Sequence, residues 1–360
     1  MPGGDPRRHP SRSRAARRWE TALTPHDVTL DDERFMRRAI ELGQSVRRQT
    51  SPNPWVGSVV LAADGSPAGE GATAPPGGAH AEAAALAAAG ELARGGTCYT
   101  TLEPCVTQGR TPPCAAALVA AGVHRVVVAL IDPDDGVQGR GVASLAAAGI
   151  EVVTGVLAEA AEESLRPYLV QRRTLRPYVV LKLAATLDGR IAAPDGTSRW
   201  ITGEAARGDV QRLRAESDAI LVGAGTVRAD DPQLTVRTDP PPLRQPLRVV
   251  LGRAPDGARV QPALEMSGDV RGVLDELGRR GVLQLLVEGG ASVAGEFHRA
   301  GAVDRYVVYL TGGFLGGDDG VAMFAGPGAS TMSDLWRGRL VALERFGDDV
   351  RLDVEAVTGQ

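Results

Sequence analysis

The chain has 360 residues, 43% of them hydrophobic and 23% charged, with a formal net charge of −4. That length suggests two or three domains of ordinary globular composition, with ample apolar material for two cores. The charge argues against a polyanion-binding protein, and no apolar run reaches the ~18 residues of a membrane span.

The start of the chain reads differently from the rest. Arg7, Arg8, Arg12, Arg14, Arg17 and Arg18 sit among Pro, Gly and Ser. Such composition cannot bury enough surface to offset its ordering entropy, so residues 1–25 are expected to be a disordered extension. They lack the apolar core of a secretory signal. An alternating α and β pattern begins near Leu30. Phe35, Met36, Ala39, Ile40 and Leu42 form the apolar face of a helix over 31–44. A strand is expected over 56–61, then an Ala-rich helix over 79–89 closed by Gly90. A strand over 97–101 and a helix over 113–121 follow, the helix closed by Gly122. The apolar run 125–130 predicts a strand covered on both faces. A helix over 145–148, a strand over 151–154 and a helix over 159–171 complete a first domain, 26–173.

The polar stretch from Arg172 to Pro177 predicts the domain boundary. The second domain, 174–360, opens with a strand over 178–184. A helix over 204–215 and strands over 219–222 and 247–251 come next. A helix over 270–278, a strand over 283–287 and a helix over 292–300 follow, and the end is β-like over 303–311 and 350–357.

The sharpest chemical pattern is His80-Ala81-Glu82, followed by Pro104-Cys105 and Cys114. A catalytic zinc takes three protein ligands and keeps one position for water. His80, Cys105 and Cys114 supply one nitrogen and two thiolates. Zinc lowers the pKa of a bound water from about 15.7 to about 7. In nucleobase deaminases a Glu that is not a ligand moves protons between that water and the leaving amine, a role that suits Glu82. Both helix starts, at Ala79 and Pro113, aim free N–H groups toward the site. The three cysteines are an odd number, which fits reduced thiols and a cytoplasmic protein better than a disulfide scaffold. Cys98 reads as core, and His124 as a cap or surface residue; His9, His26 and His298 show no partner pattern.

The second domain carries a different set. Gly289 and Gly290, between a strand and a helix start, can cradle a pyrophosphate through backbone N–H groups. No G-x-G-x-x-G follows an early strand, so a conventional dinucleotide fold is disfavoured. Arg214 and Arg237 suit a substrate phosphate, because a guanidinium binds it bidentately. Asp230 and Glu288 can hold ribose hydroxyls or substrate amines, and Trp200 offers a flat face to nicotinamide or ribose.

These motifs together resemble one family. Glu103-Pro104-Cys105 followed by Gly109-Arg110-Thr111-Pro112-Pro113-Cys114 is similar to the bifunctional riboflavin-biosynthesis deaminase/reductases, as are Thr50-Ser51-Pro52-Asn53-Pro54-Trp55-Val56-Gly57, Ala121-Gly122-Val123 and Asp132-Pro133. In the second half the likeness continues through Lys182-Leu183-Ala184, Thr186-Leu187-Asp188-Gly189-Arg190, Ser198-Arg199-Trp200-Ile201-Thr202-Gly203, Gly225-Thr226-Val227, Ala229-Asp230-Asp231-Pro232, Leu234-Thr235-Val236-Arg237 and Leu286-Val287-Glu288-Gly289-Gly290. It covers roughly residues 30–360.

The resemblance implies an α/β chain with a cytidine-deaminase-like α/β/α domain followed by a dihydrofolate-reductase-like α/β domain. It implies hydrolytic deamination of 2,5-diamino-6-(5-phosphoribosylamino)pyrimidin-4(3H)-one, then NADPH reduction of its ribose to ribityl. Zinc and NADPH would be the cofactors, phosphorylated pyrimidines the partners, and a homo-oligomer the assembly, with no role for nucleic acid or membrane. By the same resemblance Asn53 would meet the pyrimidine. NADPH would meet Ala184, Trp200, Thr226, Asp230, Gly290, Ala291, Ser292, Val293, Ala294, Gly295 and Glu296. Ser198, Arg214, Leu234, Arg237 and Glu288 would meet the reductase substrate, with Lys182 a candidate proton donor.

Two departures from the family stand out. Val106-Thr107 replaces a usual Ser-His, whose side chains are expected near the substrate. The stretch from Arg253 to Gly281 is short, which predicts a missing strand and helix or a compact variant. Other readings remain open: an intact reductase with a weakened deaminase, a nucleoside or tRNA deaminase with an accessory binding domain, or a scaffold that has lost both activities.

Overall fold

The computed structural model describes residues 28–107, 112–239 and 241–357. The Arg-rich start, His9, His26 and Gly109-Arg110-Thr111 lie outside the described residues. The chain divides into two units, one of residues up to 46 plus 55–164, the other of 47–54 and everything from 165 onward. No helix among the described residues is long and apolar enough to cross a membrane.

The first unit holds α1 (Leu30–Val46), β1 (Gly57–Leu61), β2 (Pro67–Ala72), α2 (Ala81–Ala89), β3 (Thr97–Leu102), α3 (Cys114–Ala121), β4 (Arg125–Leu130), α4 (Arg140–Ala147), β5 (Glu151–Thr154) and the start of α5 (Ala158–Thr174). Its sheet runs β2-β1-β3-β4-β5. β1 is antiparallel to both neighbours, whereas β3, β4 and β5 are parallel. Successive strand residues face opposite sides, and the cores follow that rule. Val60, Cys98, Val126 and Val128 pack against Ala85, Ala89, Ala115, Leu118 and Leu145 of α2, α3 and α4. Val59, Tyr99, Val127 and Ala129 pack against Met36, Ala39 and Ile40 of α1 and Ala161 of α5. The result is an α/β/α sandwich in which β1, β3 and β4 are buried along most of their length because both faces are covered.

β2 was not evident in the sequence, since Pro-Ala-Gly-Glu-Gly-Ala has no β-branched or aromatic residue. Its glycines serve close packing. A Cβ on Gly69 or Gly71 would stand 2.3 Å from a carbonyl oxygen of α2, Ala85 or Ala81 respectively. β2 therefore seats α2 closely, and α2 carries Glu82.

The second unit continues from α5 through β6 (Tyr178–Thr186), β7 (Arg190–Ala192), α6 (Glu204–Ala215), β8 (Ala219–Gly223), α7 (Ala224–Asp230), β9 (Leu247–Leu251), β10 (Leu264–Met266), α8 (Val270–Arg279), β11 (Gln284–Val287), α9 (Ala291–Arg299), β12 (Arg305–Thr311), β13 (Val321–Ala322), β14 (Gly338–Phe346) and β15 (Asp349–Ala356). The main sheet runs β10-β9-β8-β11-β6-β12-β15-β14. It is parallel from β10 to β12, and the final two pairings are antiparallel. Val179, Leu181, Leu221, Leu285 and Val287 join α8 and α9 on one face. Tyr178, Val180, Ile220, Val222 and Leu286 join Ala206, Val210 and Leu213 of α6 on the other.

The short 253–281 stretch does contain a strand and a helix, β10 and α8. The helix is the one expected over 270–278, and the strand was not expected. α8 starts from an Asp269 cap whose side chain accepts from the Gly272 amide, and Val270, Val273, Leu274 and Leu277 bury its apolar face.

Candidate active sites

In the first unit, three candidate ligands meet at the ends of three elements. His80 is the N-cap of α2, Cys105 lies just past β3, and Cys114 is the first residue of α3. Both helices start one or two residues later than the sequence suggests. The Cys105 and Cys114 sulfurs lie 3.6 and 3.3 Å from His80 Nδ1, and the three donor atoms lie within 4.8 Å of one another. Two donors bound to one tetrahedral zinc at ordinary bond lengths stand about 3.6 Å apart, so the set fits the ion. The Cys114 amide donates to Cys105 Sγ at 3.4 Å, so the start of α3 does face a thiolate. Cys105 is lowered to about 4, chiefly by hydrogen bonding from Cys114 and then from His80. Cys114 is raised as its partner.

Glu82 stands outside that donor set. It is 4% exposed in the first turn of α2. Burial pushes its carboxyl up to about 7, and the Cys105 thiolate acts in the same direction. Val106 packs against the core cluster of α2, α3 and α4, and Thr107 is exposed. Asn53 lies in a turn of the 47–54 segment, its amide donating to the Thr50 carbonyl. Cys98 is fully buried and within 3.3 Å of Ser58 Oγ. His124 is exposed, and His298 Nδ1 lies 2.7 Å from the Tyr306 hydroxyl.

Sequence reasoning missed the role of Glu103. Its buried carboxylate accepts from four backbone amides, those of Asp132, Gly139, Gly141 and Val142, at 2.8–3.2 Å. Burial still holds its pKa above the ordinary value. Glu103 thus ties the 132–142 loop to the chain segment that delivers Cys105. The only signal was its place before Pro104-Cys105, which by itself does not announce a backbone clamp.

In the second unit, a cleft of about 430 Å³ gathers most of the predicted residues. Ala184, Ser198, Trp200, Arg214, Thr226, Asp230, Leu234, Arg237, Glu288 and Gly290 all line it, together with Lys182. The Gly290 amide donates to Thr226 Oγ1 at 3.1 Å, which joins the starts of α7 and α9. A Cβ on Gly289 would stand 2.5 Å from the Val293 Cβ, so only glycine lets the strand turn so close to α9. Leu234 is 3% exposed and holds φ 52°, a left-handed conformation unusual for leucine.

Part of the predicted cofactor segment places its side chains in the core. Val293, Ala294 and Gly295 are buried; Val293 and Ala294 belong to the core, and a Cβ on Gly295 would meet the Ala325 carbonyl at 2.2 Å. Ala291, Ser292 and Glu296 are not among the residues lining the cleft. The helical period explains the buried side chains: one face of α9 must serve the core.

Arg214 does not present a free fork. Its Nε and Nη2 donate to Glu288 Oε1 and Oε2 at 2.6 and 2.9 Å, and Nη1 reaches the Thr235 carbonyl at 3.3 Å. Burial works to raise the Glu288 carboxyl, yet Arg214 and Lys182 outweigh it and hold the group below its ordinary range. Burial pushes the Lys182 ammonium down, opposed by Glu288. Arg207 stacks over Trp200 at 4.5 Å, and Arg199 donates to the Asp230 carbonyl at 2.7 Å. Arg207 and Arg259 were missed as cleft residues. Arg259 comes from the β9–β10 connection, which the sequence placed nowhere near the site. Its backbone amide donates to Asp231 Oδ1 at 2.8 Å, a contact only the fold creates.

Comparison with known proteins finds the same two domains. Residues 29–130 match the cytidine and deoxycytidylate deaminase zinc-binding region, and residues 177–352 match the RibD C-terminal domain. The chain is 40% identical over 355 residues to the riboflavin biosynthesis protein RibD of Bacillus amyloliquefaciens, covering 89% of this chain and 95% of that protein. It is 39% identical over 364 residues to Escherichia coli RibD, covering 90% and 99%. A crystal form of Acinetobacter baumannii RibD superposes with a TM-score of 0.85 at 38% identity, covering 91% and 99%. A Thermotoga maritima diaminohydroxyphosphoribosylaminopyrimidine deaminase/5-amino-6-(5-phosphoribosylamino)uracil reductase superposes with a TM-score of 0.83 at 34% identity, with the same coverage. The chain therefore belongs to the RibD family of bifunctional riboflavin-biosynthesis enzymes, with a zinc-binding deaminase domain and a reductase domain that uses NADPH.

Proposed function

We propose that the first unit deaminates 2,5-diamino-6-(5-phosphoribosylamino)pyrimidin-4(3H)-one and the second reduces the ribose of the product to a ribityl chain. The observation that carries the deaminase half is the His80, Cys105 and Cys114 donor set with Glu82 buried beside it. When bound, zinc supplies a nucleophilic hydroxide near neutral pH and NADPH supplies a hydride. His80, Cys105 and Cys114 hold the ion. Glu82 takes the proton of the attacking water and delivers it to the amine; the C–O bond forms first, and the C–N bond then breaks as ammonia leaves.

In the reductase cleft, Trp200, Thr226, Asp230 and Gly290 would hold the cofactor. Ser198, Leu234 and Arg237 hold the phosphorylated sugar, and Arg214 orients Glu288 toward it. Arg237 supports this reading, because its exposed guanidinium makes no hydrogen bond or ion pair among the described residues. Lys182 protonates the ring oxygen as hydride reaches the anomeric carbon and the sugar opens. The protein acts in the cytoplasm, in keeping with three cysteines of which none forms a disulfide. It assembles as a homo-oligomer, in keeping with Leu340, Val341 and Leu343 exposed on the edge strand β14.

The test is to supply the diaminopyrimidinone substrate with and without NADPH and follow ammonia and 340 nm absorbance together. Ammonia release without NADPH, with NADPH oxidised only after deamination, is the expected result. NADPH oxidation on deaminated substrate without any ammonia release would remove the deaminase half and point to Val106-Thr107. Neither signal in zinc-loaded protein would overturn the whole assignment.

A further inference from the structure

The second unit spends buried charge in an unusual place. On β15 the inward positions 349, 351, 353 and 355 are Asp, Arg, Asp and Glu, each 6% exposed or less. An apolar face would be the inexpensive choice for a strand covered by helices, since a buried charge is costly unless it is paired. These charges have directional partners on α6 and within the sheet. Asp349 Oδ2 accepts from the Gly203 amide at 2.7 Å, 146 residues away in sequence. Arg351 Nη1 donates to Asp209 Oδ2 at 2.8 Å, and the Tyr309 hydroxyl donates to the same oxygen at 2.6 Å.

The first of these contacts lies at the start of α6. Gly203 is the N-cap and has no side chain with which to cap the helix. Asp349 supplies an external carboxylate there, where a negative charge is favoured. The β14–β15 turn also docks on that helix start, since a Cβ on Gly347 would sit 3.9 Å from the Ala205 Cβ. Gly203 ends the segment that brings Ser198 and Trp200 to the cleft, and α6 brings Arg207 and Arg214. One buried carboxylate thus stands at the junction of two cleft-forming pieces of chain.

We propose that Asp349 is a positioning residue of the reductase, acting through the Gly203 amide to hold residues 198–203 and the start of α6 in register for cofactor and substrate. The proposal rests on the cleft reading given above. The test compares Asp349→Ala, Asp349→Asn, Gly203→Pro and Trp200→Ala in the full chain. KM and kcat for NADPH oxidation are measured on deaminated substrate, with ammonia release and thermal stability followed in parallel. Asp349→Ala removes a hydrogen bond to a charged group, so the reductase KM values are expected to rise about ten-fold and kcat to change less than about three-fold. Asp349→Asn keeps an acceptor and restores most of the loss, and ammonia release stays at the wild-type rate. Gly203→Pro deletes the donor at a φ of −69° that proline tolerates, and its ring displaces the Asp349 carboxylate from the helix start. It is expected to raise KM as Asp349→Ala does, and the double variant to add nothing further.

Wild-type KM values in Asp349→Ala overturn the proposal. So does a lowered melting temperature with reduced kcat and unmoved KM in both Asp349 variants, which marks a purely structural carboxylate. If Asp349→Ala does not fold, wild-type KM values in Gly203→Pro are decisive against it. Trp200→Ala separates the two levels. Unchanged KM in that variant overturns the cleft reading and the proposal with it; raised KM there beside unchanged KM in Asp349→Ala overturns the proposal alone.

Discussion

Arg214 and Glu288 form a bidentate pair inside the reductase cleft, with contacts of 2.6 and 2.9 Å, and Lys182 lines the same cleft. One anion therefore compensates two buried cations. Glu288→Gln removes the anion and leaves both cations uncompensated, a loss of about 3–5 kcal/mol for a buried pair. NADPH oxidation on deaminated substrate is expected to fall by at least about 100-fold while ammonia release is unaffected. An unchanged reductase rate would show that the pair plays no part in the reaction.

The pH dependence of reduction follows from the same cluster. Burial pushes the Lys182 ammonium below the ordinary lysine range, and Glu288 opposes that shift. If Lys182 donates the proton, the rate falls as pH rises through its pKa, and that limb lies below the ordinary lysine range. In the residual activity of Glu288→Gln the limb moves to lower pH, because the group that favoured the charged lysine is gone. A pH–rate profile with no limb below pH ~10 excludes Lys182 as the donor.

Zinc removal should divide the two activities. Cys105→Ser and His80→Ala each delete a ligand, and zinc content by elemental analysis is expected to fall well below one per chain. Ammonia release is expected to drop by at least about 1,000-fold, since the catalytic water loses its activation. NADPH oxidation on deaminated substrate should stay within about two-fold of wild type, the reductase needing only its own cofactor. Loss of both activities together would refute that independence.

Asp32 predicts acid sensitivity of the first unit. It is 1% exposed and bound by Arg125, Tyr99 and Thr29. Burial acts to raise its carboxyl, but Arg125, Thr29 and Tyr99 outweigh burial and hold it well below the usual carboxylate range. A depressed folded-state pKa gives stability that is present above the unfolded value and is lost as pH falls through the folded one. Asp32→Asn is expected to cost about 2–3 kcal/mol at pH 7 and to flatten the decline in stability below about pH 4. Chemical denaturation at several pH values checks both, and parallel wild-type and variant curves would contradict the assignment.

Glu103 offers a separate stability test. Glu103→Ala leaves four amides without their acceptor, at a cost of about 3 kcal/mol after water partly replaces the carboxylate. Zinc should be released faster to a chelator, because the 132–142 loop no longer braces the segment that carries Cys105. Wild-type stability and release rate would show that the clamp is dispensable.

Much of the protein was legible along the chain. His80, Glu82, Cys105 and Cys114 stand in a spacing that chemistry restricts, because few residue types ligate zinc and the proton carrier must be close to it. Most elements followed from apolar periodicity, and β4 from an almost unbroken apolar run. β2 and β14 escaped for opposite reasons. β2 is built of small residues chosen for close approach to α2, and β14 is exposed along most of its length, so no buried period marks it.

What the amino-acid order determined by itself was the type of chemistry and the residues able to perform it. The tertiary structure alone decided which of those residues face the cleft and which are already engaged. It turned Val293 and Ala294 into the core, matched Arg214 to Glu288 across 74 residues, and brought Arg259 and Asp349 to sites no local pattern marks. Local spacing records which side chains share one helix face or one turn. Contacts between distant segments depend on sheet order and on competition for buried hydrogen-bond partners, and both exist only once the chain has folded.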